Sequence, residues 1–400
     1  MLKVNSAIRR VFLLLIAFYP WVNVVLRKVP GLANVWDDLL ILLFLAYAVV
    51  VCGKRIRQLV YLPSFAFALL FASVSMVGFV LNDYMFLAFS DQFRLFLEPF
   101  AIFIAVYLIK PEKREIDFYL KSFVLSSVFL ALHGIYQYIV KVPTPAAWVD
   151  ADLEATAIYT RAFSVVDSPN RLASYLILAL PISLIYLFDA KRAARKILPI
   201  IAFSIMTLGL FLTFSRGGWI GGFGGLFLGF CFIKPLISLL LVVLVCFVVV
   251  TVPLLRLRIL SLLSPIYLNK SLTTGLGRLF KWKYATMNGM EHPLFGSGLG
   301  TFGSVSASKY GISFLLDGTY VSVFAETGFM GLLTFSLWLF YGVVNLFVNY
   351  LKTKQVTFLF LGAALVGFLA HNVIESHLTV WGLTTNFWAI TAIGEVLDTD

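Results

Sequence analysis

The most constraining feature of the sequence is a run of 21 residues without a charge, PLISLLLVVLVCFVVVTVPLL, at positions 235–255. A helix of about 20 apolar residues crosses the roughly 30 Å hydrocarbon core of a bilayer. Comparable runs recur along the 400-residue chain, which is 60% hydrophobic and only 13% charged. Soluble domains carry about 25% charged residues. The sequence therefore predicts an all-α, polytopic integral membrane protein.

Hydropathy predicts about twelve transmembrane helices, near residues 11–26, 37–52, 58–81, 92–109, 118–140, 171–188, 197–214, 218–233, 236–255, 319–349, 356–374 and 381–397. The first run ends without a small-residue cleavage site, which indicates a retained span and not a signal peptide. Lys and Arg concentrate in the N-terminal segment and in alternate short connections, such as GKRIRQ and DAKRAARK. Because cytoplasmic loops are rich in these residues, we expect both termini to be cytoplasmic.

This pattern divides the chain into four regions. They are an N-terminal five-helix region (1–140), a central membrane region (141–255) with an outer loop at 141–170, a large outer segment (256–318) and a C-terminal three-helix region (319–400). The outer segment lies between the ninth and tenth predicted spans. The net charge of +11 does not indicate a nucleic-acid partner, since basic loops are ordinary in membrane proteins.

Several basic residues lie on the side of the membrane where the orientation disfavours them. They are Arg94, Arg161, Arg216, Arg256, Arg258, Arg278, Lys281 and Lys283. A single arginine at a membrane edge is often an anchor whose charged head reaches the interface, and for each residue that alternative stays open. As a group they favour a polyanionic ligand, because the guanidinium fork binds two phosphate oxygens and keeps its charge. We therefore predict a lipid diphosphate ligand.

Four segments carry a resemblance to a known family. They are TRAFSVVDSPNRLASYLILALPI (160–182), LTFSRGGWIGGFGGL (212–226), GRLFKWKYATMNGMEHPLFGSGLGTF (277–302) and FAETGFMGLLTFSLWL (324–339). In this order and spacing they resemble the superfamily of O-antigen ligases and O-antigen polymerases. The resemblance covers predicted spans six to twelve, whereas spans one to five agree in hydropathy alone.

The resemblance implies a glycosyltransferase at the periplasmic face of the bacterial inner membrane that needs neither a metal nor another cofactor. The donor is a glycan on undecaprenyl diphosphate, and the lipid diphosphate leaves when an acceptor sugar hydroxyl attacks the anomeric carbon. By motif, Arg216 and Arg278 bind the diphosphate, and Arg161 is a third candidate. The implied partners are the donor, the acceptor glycan, the bilayer and, as a further candidate, a chain-length regulator.

Asp317 is the candidate general base. Ligases of the family carry a His followed by Asn, Ser or Gln, then nine residues and Gly-x-x-Gly. Counting back from Gly328 and Gly331, Asp317 occupies that His position. A carboxylate also accepts a proton from a sugar hydroxyl, and acidic residues here favour a polymerase over a ligase that acts on lipid A core. The alternative for Asp317 is a helix N-cap.

Further side chains are candidates for substrate binding: Asn170, Ser215, Tyr320, Lys281, Arg94 and His371. We expect Glu326, an acid inside a predicted span, to pair with an arginine or to position a loop, since such acids usually have a partner. A transporter of lipid-linked glycans is the alternative from another class. The basic residues gather at one face and not along several span centres, which disfavours that alternative.

Overall fold

A computed structural model of the chain describes residues 2–33, 35–82, 84–145, 158–260, 271–272 and 277–398, with residues 2–5 and 398 described by their backbone alone. Within these ranges the chain forms helices and turns, and no strand occurs. The all-helical class is therefore confirmed. The helices are α1 (Leu2–Ala17), α2 (Tyr19–Leu26), α3 (Trp36–Cys52), α4 (Ile56–Leu59), α5 (Pro63–Asn82), α6 (Phe86–Leu97), α7 (Phe100–Ile109), α8 (Lys113–Ile139), α9 (Pro169–Asp189), α10 (Ala193–Leu212), α11 (Arg216–Ile233), α12 (Pro235–Thr251), α13 (Pro253–Leu260), α14 (Arg278–Glu291), α15 (Val305–Lys309), α16 (Thr319–Thr353), α17 (Val356–His371) and α18 (Trp381–Asp398).

Eight helical stretches in the described part of the chain are long and apolar enough to cross a membrane. They are Trp36–Leu59, Pro63–Asn82, Phe86–Ile109, Lys113–Ile139, Pro169–Asp189, Ala193–Leu212, Arg216–Ile233 and Thr319–Thr353. Two further pairs are bent, α1 with α2 by 83° and α12 with α13 by 95°, and they raise the number to ten if each pair is one span. The polytopic architecture is confirmed, and the count of twelve stays a prediction.

The chain forms two compact units, and each unit collects three separate stretches. Unit one contains Met1–Lys28, Arg114–Lys270 and Phe347–His371. Unit two contains Val29–Lys113, Ser271–Leu346 and Asn372–Asp400. Helices that are distant in the sequence therefore pack together within each unit. The division into four consecutive regions stays a prediction.

In unit one, glycines on α11 allow a close approach to α17. A Cβ atom added at Gly221 would lie 2.6 Å from the Gly367 carbonyl oxygen, and one at Gly225 would lie 2.5 Å from that of Ala363. Real Cβ contacts are longer than this, so only glycine fits at both positions. Small residues spaced four apart are the usual means by which membrane helices pack closely. This packing holds the N-terminal end of α11, where the Ser-Arg-Gly motif lies, in a fixed position within the unit.

In unit two, aromatic side chains pack α16 against α18 and α7. The rings of Trp338 and Trp388 stack with centroids 4.8 Å apart. Phe100 meets both rings edge-on, at 5.2 Å and 4.8 Å. Both tryptophans are almost completely buried. Aromatic pairs in such arrangements stabilise a core beyond their buried area, so this cluster anchors α16 in the unit.

Helix α16 is broken at Gly328, which has φ 63° and ψ −163°. After the break, the N–H groups of Phe329 and Met330 donate to the carbonyl oxygens of Pro293 (2.8 Å) and Leu294 (3.2 Å). Before the break, the carbonyl oxygens of Ala325 and Glu326 accept hydrogen bonds from the N–H groups of Ser297 (3.1 Å) and Gly298 (2.8 Å). The loop 293–303, which we call the glycine loop, therefore replaces the hydrogen bonds that a continuous helix would have made.

Gly328→Ala is expected to lower the midpoint of thermal unfolding and the yield of folded protein. The backbone conformation of Gly328 costs other residues about 1–3 kcal/mol. The added Cβ would also lie 2.5–2.6 Å from backbone atoms of Pro293 and Leu294. Thermal unfolding in detergent measures the effect. Gly224→Ala is the matched control, because a Cβ there meets nothing within 4 Å; equal midpoints for the two variants would contradict this account.

Candidate active site

Three charged side chains of unit two meet in what we call the acid–arginine cluster, formed by Arg278, Asp317 and Glu375. The Nη2 atom of Arg278 lies 3.4 Å from Asp317 Oδ2 and 3.3 Å from Glu375 Oε1. Arg278 begins α14, Asp317 precedes α16, and Glu375 lies in the connection between α17 and α18. The side chain of Asp317 is 47% exposed and that of Glu375 only 10%. Asp317 is thus the carboxylate that a substrate can reach most readily.

Helix α14 fixes the backbone around Asp317. Trp282 lies one helical turn after Arg278, so the two side chains share a face. The indole N–H of Trp282 donates to the carbonyl oxygen of Asp317 (2.5 Å). Lys281 donates from Nζ to the carbonyl oxygen of Leu315 (2.8 Å). The predicted site residues Arg278, Lys281 and Asp317 are therefore brought together, and one helix positions both the arginine and the carboxylate.

The helix cap expected as an alternative for Asp317 lies one residue later. Helix α16 begins at Thr319, and the carbonyl oxygen of Gly318 accepts the N–H of Ser322 (3.1 Å). Gly318 thus holds the N-cap position, with φ 115°, a value that favours glycine. The Asp317 carboxylate instead forms an ion pair with Arg278.

Glu375 is a member of this cluster that no motif in the sequence marks. Its carbonyl oxygen accepts hydrogen bonds from Thr319, through both N–H (3.1 Å) and Oγ1 (3.1 Å). Asn372 Oδ1 in turn accepts the N–H groups of His377 (2.8 Å) and Leu378 (3.0 Å). These bonds tie the connection that carries Glu375 to the start of α16. The only signal in the sequence was the polar segment HNVIESH, which interrupts an apolar region.

Glu326 holds the glycine loop. Its side chain is buried, and its carboxyl oxygen Oε1 accepts the N–H of Phe302 (3.0 Å). Of the two partners expected for Glu326, the structure shows the loop. A buried carboxyl oxygen without a hydrogen-bond partner would be costly, so this bond stabilises the position of the loop beside α16.

Tyr84 holds the same loop from another side. Its hydroxyl donates to the carbonyl oxygen of Leu299 at 2.7 Å. Burial raises the pKa of Tyr84, and the nearby Glu326 carboxylate raises it further. The phenol therefore stays protonated and keeps donating at any physiological pH. A Cβ at Gly298 would lie 2.1 Å from the Tyr84 ring, which explains the glycine there.

Two other predicted site residues of unit two make different contacts. Tyr320 lies in the first turn of α16, and its ring is 6.4 Å from those of Phe335 and Phe340. Arg94 lies on α6 and forms ion pairs with Asp38 (3.1 Å) and Glu98 (3.7 Å). A role of either residue in substrate binding stays a prediction.

Unit one contains a second group of predicted residues, which we call the arginine turn: Arg161, Ser215, Arg216 and Arg258. They surround the short connection between α10 and α11. Arg161 Nε donates to the Thr213 carbonyl oxygen (3.0 Å), and Arg258 Nε donates to that of Phe214 (2.9 Å). Arg216 Nη1 donates to the carbonyl oxygen of Arg258 (3.3 Å). Two guanidinium groups thus bind the connection itself, and that of Arg216 binds the backbone of Arg258 in α13.

The local chain geometry explains why the arginine turn forms. The hydroxyl of Ser215 caps α11 by accepting the N–H of Gly218 (3.1 Å). Phe214 adopts a left-handed conformation, with φ 49°, which reverses the chain direction. Arg161 also donates from Nη2 to Asn170 Oδ1 (3.2 Å). The predicted residues Arg161, Asn170, Ser215 and Arg216 therefore lie together in unit one.

Arg258 joins the arginine turn from α13. It is one of the basic residues of the predicted outer segment, but no motif around it marks it as a site residue. Its side chain and that of Arg161 are buried. Buried like charges raise the electrostatic potential locally, so the turn favours an anion.

His371 ends α17 and is buried in unit one. Its Nδ1 atom lies 2.9 Å from the Ser174 hydroxyl oxygen. Its Cβ atom also lies within 3.2 Å of the position that a Cβ on Gly221 would take. These contacts make His371 part of the packing between α9, α11 and α17. Its predicted contact with substrate stays a prediction.

Comparison with known proteins bears on the middle of the chain. Residues 201–336 match the family model described as O-antigen ligase. This match supports the O-antigen ligase and polymerase superfamily. The family resemblance drawn from the motifs is therefore confirmed. The matched region includes Ser215, Arg216, Arg258, Arg278, Lys281, Asp317 and Tyr320, whereas Arg94, Arg161, Asn170 and His371 lie outside it. No curated protein matches the chain.

Proposed function

We propose that the protein is a polymerase that joins glycan repeat units carried on undecaprenyl diphosphate at the periplasmic face of the bacterial inner membrane. The observation that carries this proposal is the half-exposed carboxylate of Asp317, 3.4 Å from the Arg278 guanidinium. Asp317 also stands where ligases of the family carry their His. A carboxylate that can accept a proton thus lies beside a cation that can bind phosphate, which supports glycosyl transfer from a diphosphate.

The proposed reaction is a displacement at the anomeric carbon of the donor. The acceptor hydroxyl oxygen forms the new bond to that carbon, and its proton passes to the Asp317 carboxylate. The bond between the anomeric carbon and the diphosphate oxygen breaks, and the electron pair leaves with the lipid diphosphate. Arg278 stabilises the negative charge that develops on the leaving oxygens, and it carries its positive charge at every physiological pH.

The ion pair between Asp317 and Arg278 couples these two events. While Asp317 is ionised, it shares the Arg278 guanidinium with Glu375. When Asp317 takes the proton, its attraction to the guanidinium falls as charge develops on the diphosphate. Arg278 then exchanges a neutralised partner for an anionic one. Glu375 keeps the guanidinium in place, because its side chain is only 10% exposed. Its backbone is also fixed, since the Glu375 carbonyl oxygen accepts a hydrogen bond from Thr319 at the start of α16.

A ligase is the second candidate, and the matched family is described by that activity. The test uses purified protein with undecaprenyl-diphosphate repeat units and no other acceptor. A ladder of longer lipid-linked products is the expected result. If products form only after lipid A core is added, the polymerase proposal fails and the ligase takes its place. If neither product forms while a control polymerase is active, both proposals fail.

Arg216→Ala is expected to lower the rate of glycan transfer about 10- to 100-fold, the range for losing a hydrogen bond between charged groups. The reason is that Arg216 belongs to the arginine turn, where its guanidinium binds the backbone of the buried Arg258. Initial rates at subsaturating donor measure the effect. Arg171→Ala is the matched control, since Arg171 is an exposed arginine of unit one paired with Asp167. Equal rates for the two variants would rule out a role of Arg216 in glycan transfer.

A further inference from the structure

A groove between α3 and α6 in unit two has features of a separate ligand site. Its volume is about 460 Å³. Leu39, Leu42 and Leu45 of α3 form an apolar part of its lining, the apolar wall, and Asp38, Arg94 and Glu98 form a charged part, the charged wall. A cavity with one apolar wall and one charged wall fits an amphiphilic molecule better than a sugar.

The charged wall contains two carboxylates and one guanidinium. Arg94 Nη1 lies 3.1 Å from Asp38 Oδ2, and Arg94 Nε lies 3.7 Å from Glu98 Oε2. This Glu98 oxygen is buried and makes no hydrogen bond to any residue that the structure describes. A carboxylate inside an apolar helix is costly without a partner. Two carboxyl groups thus face one guanidinium group, and the buried Glu98 oxygen can accept a hydrogen bond from a ligand.

The apolar wall faces outward. Leu39 is 41% exposed and Leu42 is 62% exposed, and both lie on a helix long and apolar enough to cross a membrane. In a bilayer such leucines contact acyl chains. The occupant of the groove is therefore a membrane lipid whose chain lies on the leucines and whose headgroup meets the three charged residues.

We propose that this groove binds a phospholipid with a primary amine, the phosphatidylethanolamine class. Its phosphate pairs with Arg94, and its ammonium donates to Glu98 Oε2 and Asp38. A choline headgroup has no N–H to donate, and a purely anionic headgroup leaves both carboxylates without a cation. Arg94, predicted from the sequence to bind substrate, is assigned to this lipid. The proposal is independent of the proposed function, because it concerns other residues and another ligand.

The experiment is native mass spectrometry of the purified protein after exchange into equal amounts of phosphatidylethanolamine, phosphatidylcholine and phosphatidylglycerol with identical chains. We expect phosphatidylethanolamine to be retained about tenfold or more over phosphatidylcholine, the range for one charge-assisted hydrogen bond. Glu98→Gln is expected to abolish that preference. Asp117→Asn, which changes an exposed acid paired with Lys121, is the control and should keep it.

Several outcomes would overturn the proposal. One is equal retention of phosphatidylethanolamine and phosphatidylcholine by the unmodified protein, and another is an unchanged preference in Glu98→Gln. Preferential retention of phosphatidylglycerol would also overturn it, because it would show that Arg94 binds the phosphate while the carboxyl groups bind no amine. If Glu98→Gln does not fold, a series of N-methylated phosphatidylethanolamines still tests the proposal on the unmodified protein. Retention should then fall stepwise as the amine receives one, two and three methyl groups, and a flat series refutes the amine contact.

Discussion

Arg278→Ala is expected to lower the rate of glycan transfer about 100- to 1,000-fold, the range for losing one preorganised donor to a developing negative charge. The variant also leaves Asp317 and Glu375 without the guanidinium that they share. Single-turnover rates with saturating donor separate the chemical step from binding. Because the effect is on the transition state, we expect the rate constant to fall more than donor affinity.

Two further variants show whether the charge or the planar fork matters. Arg278→Lys keeps the positive charge but has no fork, so an intermediate rate is expected. Lys283→Ala removes an exposed basic residue of the same helix and should leave the rate unchanged. A near-normal rate for Arg278→Ala, in protein that migrates as a single folded species, would rule out the proposed role in stabilising the leaving group.

Asp317→Asn is expected to lower the rate of transfer about 100- to 10,000-fold, the contribution typical of a general base. Asn keeps the size of the side chain and its hydrogen-bond acceptor, but it cannot take a proton. A residue that served only as a helix cap would tolerate the change, because Asn is also a good cap. The measurement is again the single-turnover rate with the donor saturating.

The control for Asp317→Asn is Asp91→Asn, which removes an acid of the same unit that is paired with Lys309. This variant should retain its transfer rate. The comparison therefore distinguishes a specific role of Asp317 from a loss of activity that follows the removal of any paired acid. A positioning role for Asp317 predicts a different pattern, in which Asp317→Asn weakens donor binding and leaves the chemical step intact. That pattern would contradict the assignment of Asp317 as the general base, but it would not contradict the proposed role of Arg278.

Much of the fold is predictable because bilayer-spanning helices need long apolar runs, and these are visible in the sequence. The bends between α1 and α2 and between α12 and α13 are not visible in the same way. Each occurs within or beside an apolar run, and an average over the run does not register a change in direction. The break at Gly328 is hidden for the same reason, since the apolar pattern continues on both sides.

Residues of the candidate site could be predicted where a local motif marks them. Residues that join the site through contacts with distant parts of the sequence could not. Arg278, Asp317 and Arg216 were recognised from local patterns. Glu375 was not, because its contact with Arg278 joins residues 97 positions apart. The loop partner of Glu326 is 24 positions away, so the sequence left both a loop and an arginine open. Contacts of this kind depend on tertiary packing, which no local pattern encodes.

The backbone hydrogen bonds between the glycine loop and α16 on both sides of Gly328 limit where a chimera of this protein and a homologue can be joined. Asn288 also donates to the Ala325 carbonyl oxygen, so the shared bonds extend back into α14. A chimera with a junction between residues 298 and 319 would pair the glycine loop of one parent with the helix of another. Backbone groups at the break would then lose their partners inside an apolar environment. Specificity swaps between homologues therefore need to carry residues 288–330 as one block.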